Sequence, residues 1–301
     1  MGSLYGFEVK TELPLRRLNR ARGTRGTLTV AAARAPLPEP VGEPAGVLED
    51  DAGRRWYASY ETEAGCHLEL PPTGAFMLEP RAARVTVDAR DDDAELREHR
   101  LASSAICTLL AMRGDLVLHA AAAQVGGRAL VFCGPSQRGK STLVRALGGA
   151  GHPVLAEDGL AISLQGEPTA FPGARGVRVR SADGASVALA PDPGPEEPEA
   201  SPVGAVILLG ERGAALEVKW LEPARALALL TPNLVHSGGR AAIGAAFGNL
   251  ARLLRSAPAF RVALPDDIDA LPAAAQKFLD STTVRGLDSS PGFDLHQEEE
   301  R

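Results

Sequence analysis

Two patterns of apolar and polar positions follow one another along the chain, and the change falls near residue 94. Residues 4–90 hold short stretches in which apolar and polar residues alternate, such as 28–30 and 84–87, interrupted by a Pro-rich segment at 35–44. Alternation with a period of two predicts strands, so we expect a small β-rich N-terminal region. Apolar residues at helical spacing follow over 95–113, between an acidic run and Gly114, and predict a helix.

Beyond residue 116 the predicted strands and helices alternate, which is typical of an α/β domain. Apolar runs predict strands at 117–119, 129–133 and 154–156, with a hairpin turn at Gly126-Gly127 and a helix at 141–147. An acidic, Pro-rich segment at 191–202 is expected to be a solvated loop. The later predicted elements are strands at 205–209, 216–220 and 260–264 and helices at 223–230 and 240–255.

These patterns divide the chain into three parts. We expect a β-rich N-terminal region over residues 1–93, an α/β domain over 94–285 and a charged tail over 286–301. The first boundary lies just before the helix that follows Asp91-Asp92-Asp93.

A phosphate-binding loop (P-loop, or Walker A motif) is the strongest functional signal in the sequence. The pattern G-x-x-x-x-G-K-[ST] is matched between an apolar strand and a helix, so backbone N–H groups are expected to converge on a phosphate at the positive helix end. Lys140 is expected to reach the β- and γ-phosphates of ATP, and Ser141 to coordinate Mg²⁺. The residues predicted to bind the nucleotide are Gly134, Pro135, Ser136, Gln137, Arg138, Gly139, Lys140, Ser141 and Thr142.

Two neighbouring carboxylates and a histidine are candidates for the chemistry. Glu157 and Asp158 follow the predicted strand 154–156, where one could hold Mg²⁺ and the other accept a proton; the alternative is a solvated acidic turn. His119 lies on the strand that the Gly126-Gly127 turn is expected to fold back beside the P-loop strand. A hydrogen-bonded structural histidine is the alternative there.

The order and spacing of residues 118–122, Gly126-Gly127, the P-loop and residues 151–158 resemble the HPr kinase/phosphorylase family and its bacterial relatives. The resemblance implies an α/β P-loop domain of the HPr kinase/phosphoenolpyruvate carboxykinase type. It also implies phosphate transfer from ATP to a serine hydroxyl, with His119 near the transferred phosphate and Glu157 and Asp158 supplying base and metal functions. The P-loop departs from the family at Gln137-Arg138, and Glu157 stands where the family has Asp. Arg178 and Arg180 fall where the relatives keep a substrate-side or phosphate-side arginine, and a solvated strand face is the alternative.

The predicted function is therefore that of an ATP-dependent kinase that uses Mg²⁺. The acceptor is expected to be a hydroxyl on a serine of a peptide or protein, or on a small-molecule alcohol. The alternative is a nucleotide-gated module that binds a peptide or partner without phosphotransfer. An ABC-type ATPase is disfavoured, although Ser237-Gly238-Gly239 resembles its signature, because Arg261 interrupts the strand that such a protein needs. A GTPase is also disfavoured, because the sequence contains no Asn-Lys-x-Asp segment that would recognise the base.

The amino-acid composition limits which binding partners and which cellular compartment we expect. Lys and Arg number 32 against 38 Asp and Glu, a net charge of −6, so we expect neither nucleic acid nor an anionic membrane as a partner. No apolar run approaches the roughly 18 residues of a membrane span. Three cysteines without metal-ligand spacing indicate reduced thiols, so a cytoplasmic location is expected. The family resemblance implies a homo-oligomer.

Overall fold

The computed structural model is a mixed α/β structure with large sheets and few helices. Of the predicted nucleotide-binding residues, Ser136 and Gln137 lie outside the described part of the chain, as does the predicted tail. The structure describes residues 2–20, 23–49, 52–135, 138–180, 187–190, 197–211, 213 and 216–265.

The N-terminal region forms one eight-stranded sheet, so its alternating stretches do fold as strands. The strands are β1 Gly2–Leu4, β2 Phe7–Thr11, β3 Thr27–Ala32, β4 Gly46–Glu49, β5 Arg55–Glu61, β6 Cys66–Leu70, β7 Gly74–Glu79 and β8 Arg84–Ala89. Their spatial order is β1-β2-β3-β8-β7-β6-β5-β4. The pairs β2/β3 and β3/β8 are parallel, and the remaining neighbours are antiparallel.

The helix predicted at 95–113 is present but is interrupted by a π-helical segment. It consists of α1 Ala94–Arg100, the π-helical segment Leu101–Ile106 and α2 Cys107–Met112. Asp93 caps its start, accepting a hydrogen bond from the Leu96 backbone N–H at 2.9 Å. Its apolar residues share one core with the N-terminal sheet and with strands of the second sheet. This helical segment therefore connects the two sheets through packing, and the exact domain boundary stays a prediction.

The second sheet has nine strands and contains the P-loop strand near its centre. Eleven strands follow α2 in the described residues, nine in this sheet and two, β15 and β16, in a separate hairpin. They are β9 Leu116–Leu118, β10 Ala121–Val125, β11 Arg128–Cys133, β12 Val154–Ala156, β13 Leu160–Ser163, β14 Thr169–Phe171, β15 Val177–Arg180, β16 Val187–Ala190, β17 Ser201–Leu209, β18 Glu217–Leu221 and β19 Ala259–Ala263. β11 pairs in parallel with β17, and β17 in parallel with β19. β15 and β16 form the separate hairpin.

Two expectations about this sheet need correction. The hairpin through Gly126-Gly127 joins β10 to β11, whereas β9 ends at Leu118 and pairs with β13 instead, so His119 lies in the short link between β9 and β10. The solvated loop expected over 191–202 ends earlier than predicted, because Ser201 is fully buried at the start of β17 and pairs with Ala170 of β14. Residues 191–196 of that segment lie outside the described part of the chain.

Helices cover both faces of the second sheet. α3 Lys140–Gly149 packs on one face through Leu143, Val144 and Leu147. α4 Pro223–Leu230 and α5 Arg240–Leu253 pack on the other face, with the 3₁₀ turn Thr231–Asn233 between them. Gly239 is the N-cap of α5, so the Ser237–Gly239 segment is the turn that starts a helix. No helix within the described ranges has both the length and the apolar character needed to cross a membrane.

Candidate functional site

The predicted P-loop, residues 134–142, begins directly after the central strand β11 and ends in the first turn of α3. Two of its glycines have backbone angles that side chains disfavour, with φ of 139° at Gly134 and 99° at Gly139. A Cβ at Gly134 would also lie 3.0 Å from the Leu209 carbonyl oxygen. Gly134 therefore stands directly after β11 and Gly139 is the N-cap of α3, and a helix N-terminus is a position that favours anions.

Lys140 is the first residue of α3 and its side chain folds back into the loop. Its Nζ donates hydrogen bonds to the backbone carbonyls of Gly134, at 2.7 Å, and Pro135, at 3.2 Å. Burial lowers the pKa of Lys140, while attraction to Asp158, Cys133 and Glu157 opposes that shift. A buried ammonium group thus lies within the loop.

Ser141 and Glu157 are in direct contact. The hydroxyl Oγ of Ser141, in the first turn of α3, donates to Glu157 Oε1 at 2.6 Å. Glu157 follows β12, so two separate elements bring a hydroxyl and a carboxylate to the mouth of the loop. Hydroxyl and carboxylate oxygens suit Mg²⁺, which is usually held by a few protein oxygens together with phosphates and waters. Within the described ranges no three His, Cys, Asp or Glu side chains are grouped as a metal cage.

Asp158 lies between two histidines. Its Oδ1 is 3.2 Å from Nδ1 of His119, and its Oδ2 is 3.4 Å from Nε2 of His99. Burial by itself would raise the pKa of Asp158, but hydrogen bonds from His119 and His99 outweigh it and hold that pKa well below its usual range. The carboxylate is therefore ionised at neutral pH, beside a half-exposed His119 and a buried His99.

Asn233 joins the P-loop to His119, and sequence analysis did not identify it. Its side-chain Oδ1 accepts from the backbone N–H of Gly134 at 3.0 Å, and its own carbonyl accepts from the backbone N–H of His119 at 2.7 Å. Gly134 and Asn233 are 99 residues apart, so no local motif indicates the contact. Asn233 is buried in the 3₁₀ turn that follows α4.

The remaining predicted residues are placed as follows. Arg138 pairs with Glu211 at 3.5 Å on the surface, and both side chains are exposed. Thr142 lies in the first turn of α3, next to Ser141. Arg178 and Arg180 lie on β15. The structure thus brings together Lys140, Ser141, Glu157, Asp158 and His119, whose roles in binding and catalysis stay predictions.

Comparison with known proteins gives a distant structural likeness. No protein-family model matches the sequence, and no curated protein matches it. Among solved structures, the HPr(Ser) kinase/phosphatase from Coxiella burnetii aligns with 13% identity over 56% of this chain and 99% of that chain, at a TM-score of 0.33. A likeness at this level carries no argument about the P-loop fold or the activity, so the functional argument rests on the residues of the site.

Proposed function

We propose that the protein is an ATP-dependent kinase that transfers the γ-phosphate to a hydroxyl group. The observation that carries the proposal is the pairing of Ser141 with Glu157 at 2.6 Å beside the Asp158–His119 pair, all next to a buried lysine at a helix N-terminus. Phosphoryl transfer needs positive charge around the phosphates, oxygen ligands for a metal and a group that orients the attacking hydroxyl. Each requirement has a residue in this cluster.

The donor set fits a Mg²⁺-bound nucleoside triphosphate. Lys140 and the backbone N–H groups at the start of α3 supply positive charge for the phosphates. Ser141 and Glu157 supply oxygen ligands from two elements already in contact, and we assign them to the metal side of the site. When bound, Mg²⁺ neutralises charge on the phosphate oxygens.

We assign Asp158 to the acceptor side of the site. The acceptor oxygen attacks the γ-phosphorus and forms a new P–O bond, while the bond from the γ-phosphorus to the β–γ bridging oxygen breaks and ADP leaves with the electron pair. The hydroxyl proton passes to Asp158. A carboxylate with a lowered pKa is a weak base, but the transition state is loose, so orienting the hydroxyl matters more than removing its proton early.

The acceptor belongs to one chemical class, an alcohol, with two candidate sources. We propose a serine of a peptide or protein, or a small-molecule alcohol, bound near His119 and Asp158. The protein is proposed to act in the cytoplasm as a homo-oligomer, without a nucleic-acid or membrane partner.

A binding and transfer experiment with γ-labelled ATP and Mg²⁺ tests the proposal. Lys140→Ala is expected to weaken ATP binding about 10- to 150-fold, since a hydrogen bond to a charged group contributes about 1.5–3 kcal/mol. The matched control is Lys219→Ala, an exposed lysine on β18 whose removal leaves binding unchanged. Asp158→Asn is expected to keep binding but lose label transfer to water or to a pool of serine-containing peptides.

The outcomes separate the two functions weighed from the sequence. Loss of label transfer in Asp158→Asn supports the kinase. Tight ATP binding with label release that is independent of Asp158 would instead favour a nucleotide-gated binding module. Equal ATP affinity in wild type and Lys140→Ala would contradict the placement of the nucleotide.

A further inference from the structure

His99 approaches the candidate site from the helical segment that connects the two sheets. It lies near the end of α1, its side chain is buried, and its Nε2 is 3.4 Å from Asp158 Oδ2. The π-helical segment begins two residues later, and such segments occur often at functional sites. Ser103, within that segment, donates its hydroxyl proton to the His99 carbonyl at 2.8 Å and places its Oγ 3.4 Å from Nε2.

Arg17 determines which ring nitrogen of His99 carries the proton. Its Nη1 is 3.2 Å from His99 Nδ1. A guanidinium group can only donate hydrogen bonds, so Nδ1 must accept. The ring proton is therefore on Nε2, which faces Asp158.

Arg17 is itself held by hydrogen bonds to two parts of the chain, helix α1 and the segment that leads into β15. Its Nη2 donates to the Gly176 carbonyl at 2.7 Å, and its Nε donates to the Arg175 carbonyl. Its backbone N–H donates to Glu98 Oε1, on the helix that carries His99, at 2.6 Å. The arginine from the N-terminal region thus has a fixed position relative to both α1 and the segment that leads into β15.

We propose that His99 is a positioning residue for Asp158, and that Arg17 fixes the tautomer in which His99 donates to Oδ2 of that carboxylate. With Oδ2 held in this way, Oδ1 faces His119 and the acceptor side of the site. The N-terminal region therefore contributes to turnover through the contact of Arg17 with His99. This inference rests on the proposed kinase function.

Substitutions at His99 separate positioning from folding. His99→Leu removes the donor and is expected to lower kcat for Mg·ATP turnover about tenfold or more, with the Kd for Mg·ATP changed less than about twofold. His99→Gln places an N–H donor near the position of Nε2 and is expected to recover most of kcat. Arg17→Met is also expected to lower kcat, as His99→Leu does. His67→Leu is the matched control, because His67 is a buried histidine of the N-terminal sheet.

Four results would overturn the proposal or its foundation. Turnover by His99→Leu equal to that of His67→Leu, or His99→Gln as slow as His99→Leu, would overturn the positioning role. Should His99→Leu fail to fold, long-range ¹H–¹⁵N NMR of the wild type decides, because a proton on Nδ1 of His99 contradicts the proposed tautomer and one on Nε2 alone supports it. Wild-type protein that binds Mg·ATP without turnover would overturn the kinase function itself, and the role of His99 with it.

Discussion

Gly159, the residue after Asp158, has no room for a side chain. A Cβ at this position would lie 2.6 Å from Cys107 Sγ, and 3.3 Å from both the Ser103 carbonyl and the Tyr5 hydroxyl. Ordinary contact distances are about 3.5–4.0 Å, so the alanine methyl would overlap the sulfur by about 1 Å. Gly159→Ala must therefore push the chain next to Asp158 away from the helical segment.

The expected cost follows from that overlap. Overpacking of a filled core costs about 1–3 kcal/mol, so we expect Gly159→Ala to lower the free energy of unfolding by about 2 kcal/mol. Cys107→Ala removes the sulfur and costs about 1 kcal/mol by itself, through lost packing and a weak hydrogen bond to Tyr5. The double variant is expected to lose about 1 kcal/mol rather than 3, because the overlap disappears with the sulfur.

Urea unfolding of the two single variants and the double variant measures this coupling, expected at about 2 kcal/mol. The turnover of Mg·ATP should fall in Gly159→Ala and recover in the double variant, because Asp158 returns to its position. Gly248→Ala is the matched control: it lies within α5 with open space around its Cβ and should stabilise the protein by about 0.5–1 kcal/mol. Single-variant effects that add within about 0.5 kcal/mol would refute the steric argument.

Three further predictions concern residues around the site. Tyr5→Phe should lower the free energy of unfolding by about 1 kcal/mol at pH 8, since the phenol donates a hydrogen bond to the Gly159 carbonyl. Because burial raises the pKa of Tyr5 well above 10.0, this advantage of the wild type should shrink as the pH rises past 10, and a difference in urea titrations that stays constant with pH would contradict the prediction. Asn233→Ala should weaken Mg·ATP binding and slow turnover together, because the Gly134 N–H loses its acceptor; unchanged binding and turnover would contradict this. Lys140→Met should weaken ATP binding but leave the nucleotide-free protein at least as stable as the wild type at pH 7, since burial lowers the lysine's pKa and a buried charge costs stability. The stability advantage of the Met variant should decrease as the pH rises towards 10.5. A melting temperature clearly below that of the wild type at pH 7 would contradict the prediction.

The parts of the site that depend on local sequence were predictable. Gly134 and Gly139 occupy a pattern whose backbone angles only glycine adopts easily, and the adjoining apolar run and helix are short-range features. Glu157 and Asp158 follow a strand found at the predicted residues, 154–156. The α/β alternation after residue 116 is likewise a property of neighbouring residues.

The contacts that depend on tertiary packing were not predictable. His99 and Asp158 meet only because the helical segment packs between the two sheets, and Arg17 reaches His99 across 82 residues. The sequence predicts His119 on a strand beside β11, but β9 ends before it and pairs with β13. No pattern in the sequence distinguishes these pairings from others of similar length, since the hydrophobic periodicity of a short strand does not specify its partner.

A single-turnover measurement with wild type and Asp158→Asn, each in excess over Mg·ATP and at a protein concentration well above its Kd for Mg·ATP, tests the kinase assignment most directly. ADP formation in the wild type with a rate at least about 100-fold higher than in Asp158→Asn, at equal ATP affinity, is the result expected for a group that orients the attacking oxygen. Equal rates of ADP formation in the two proteins would contradict the assignment.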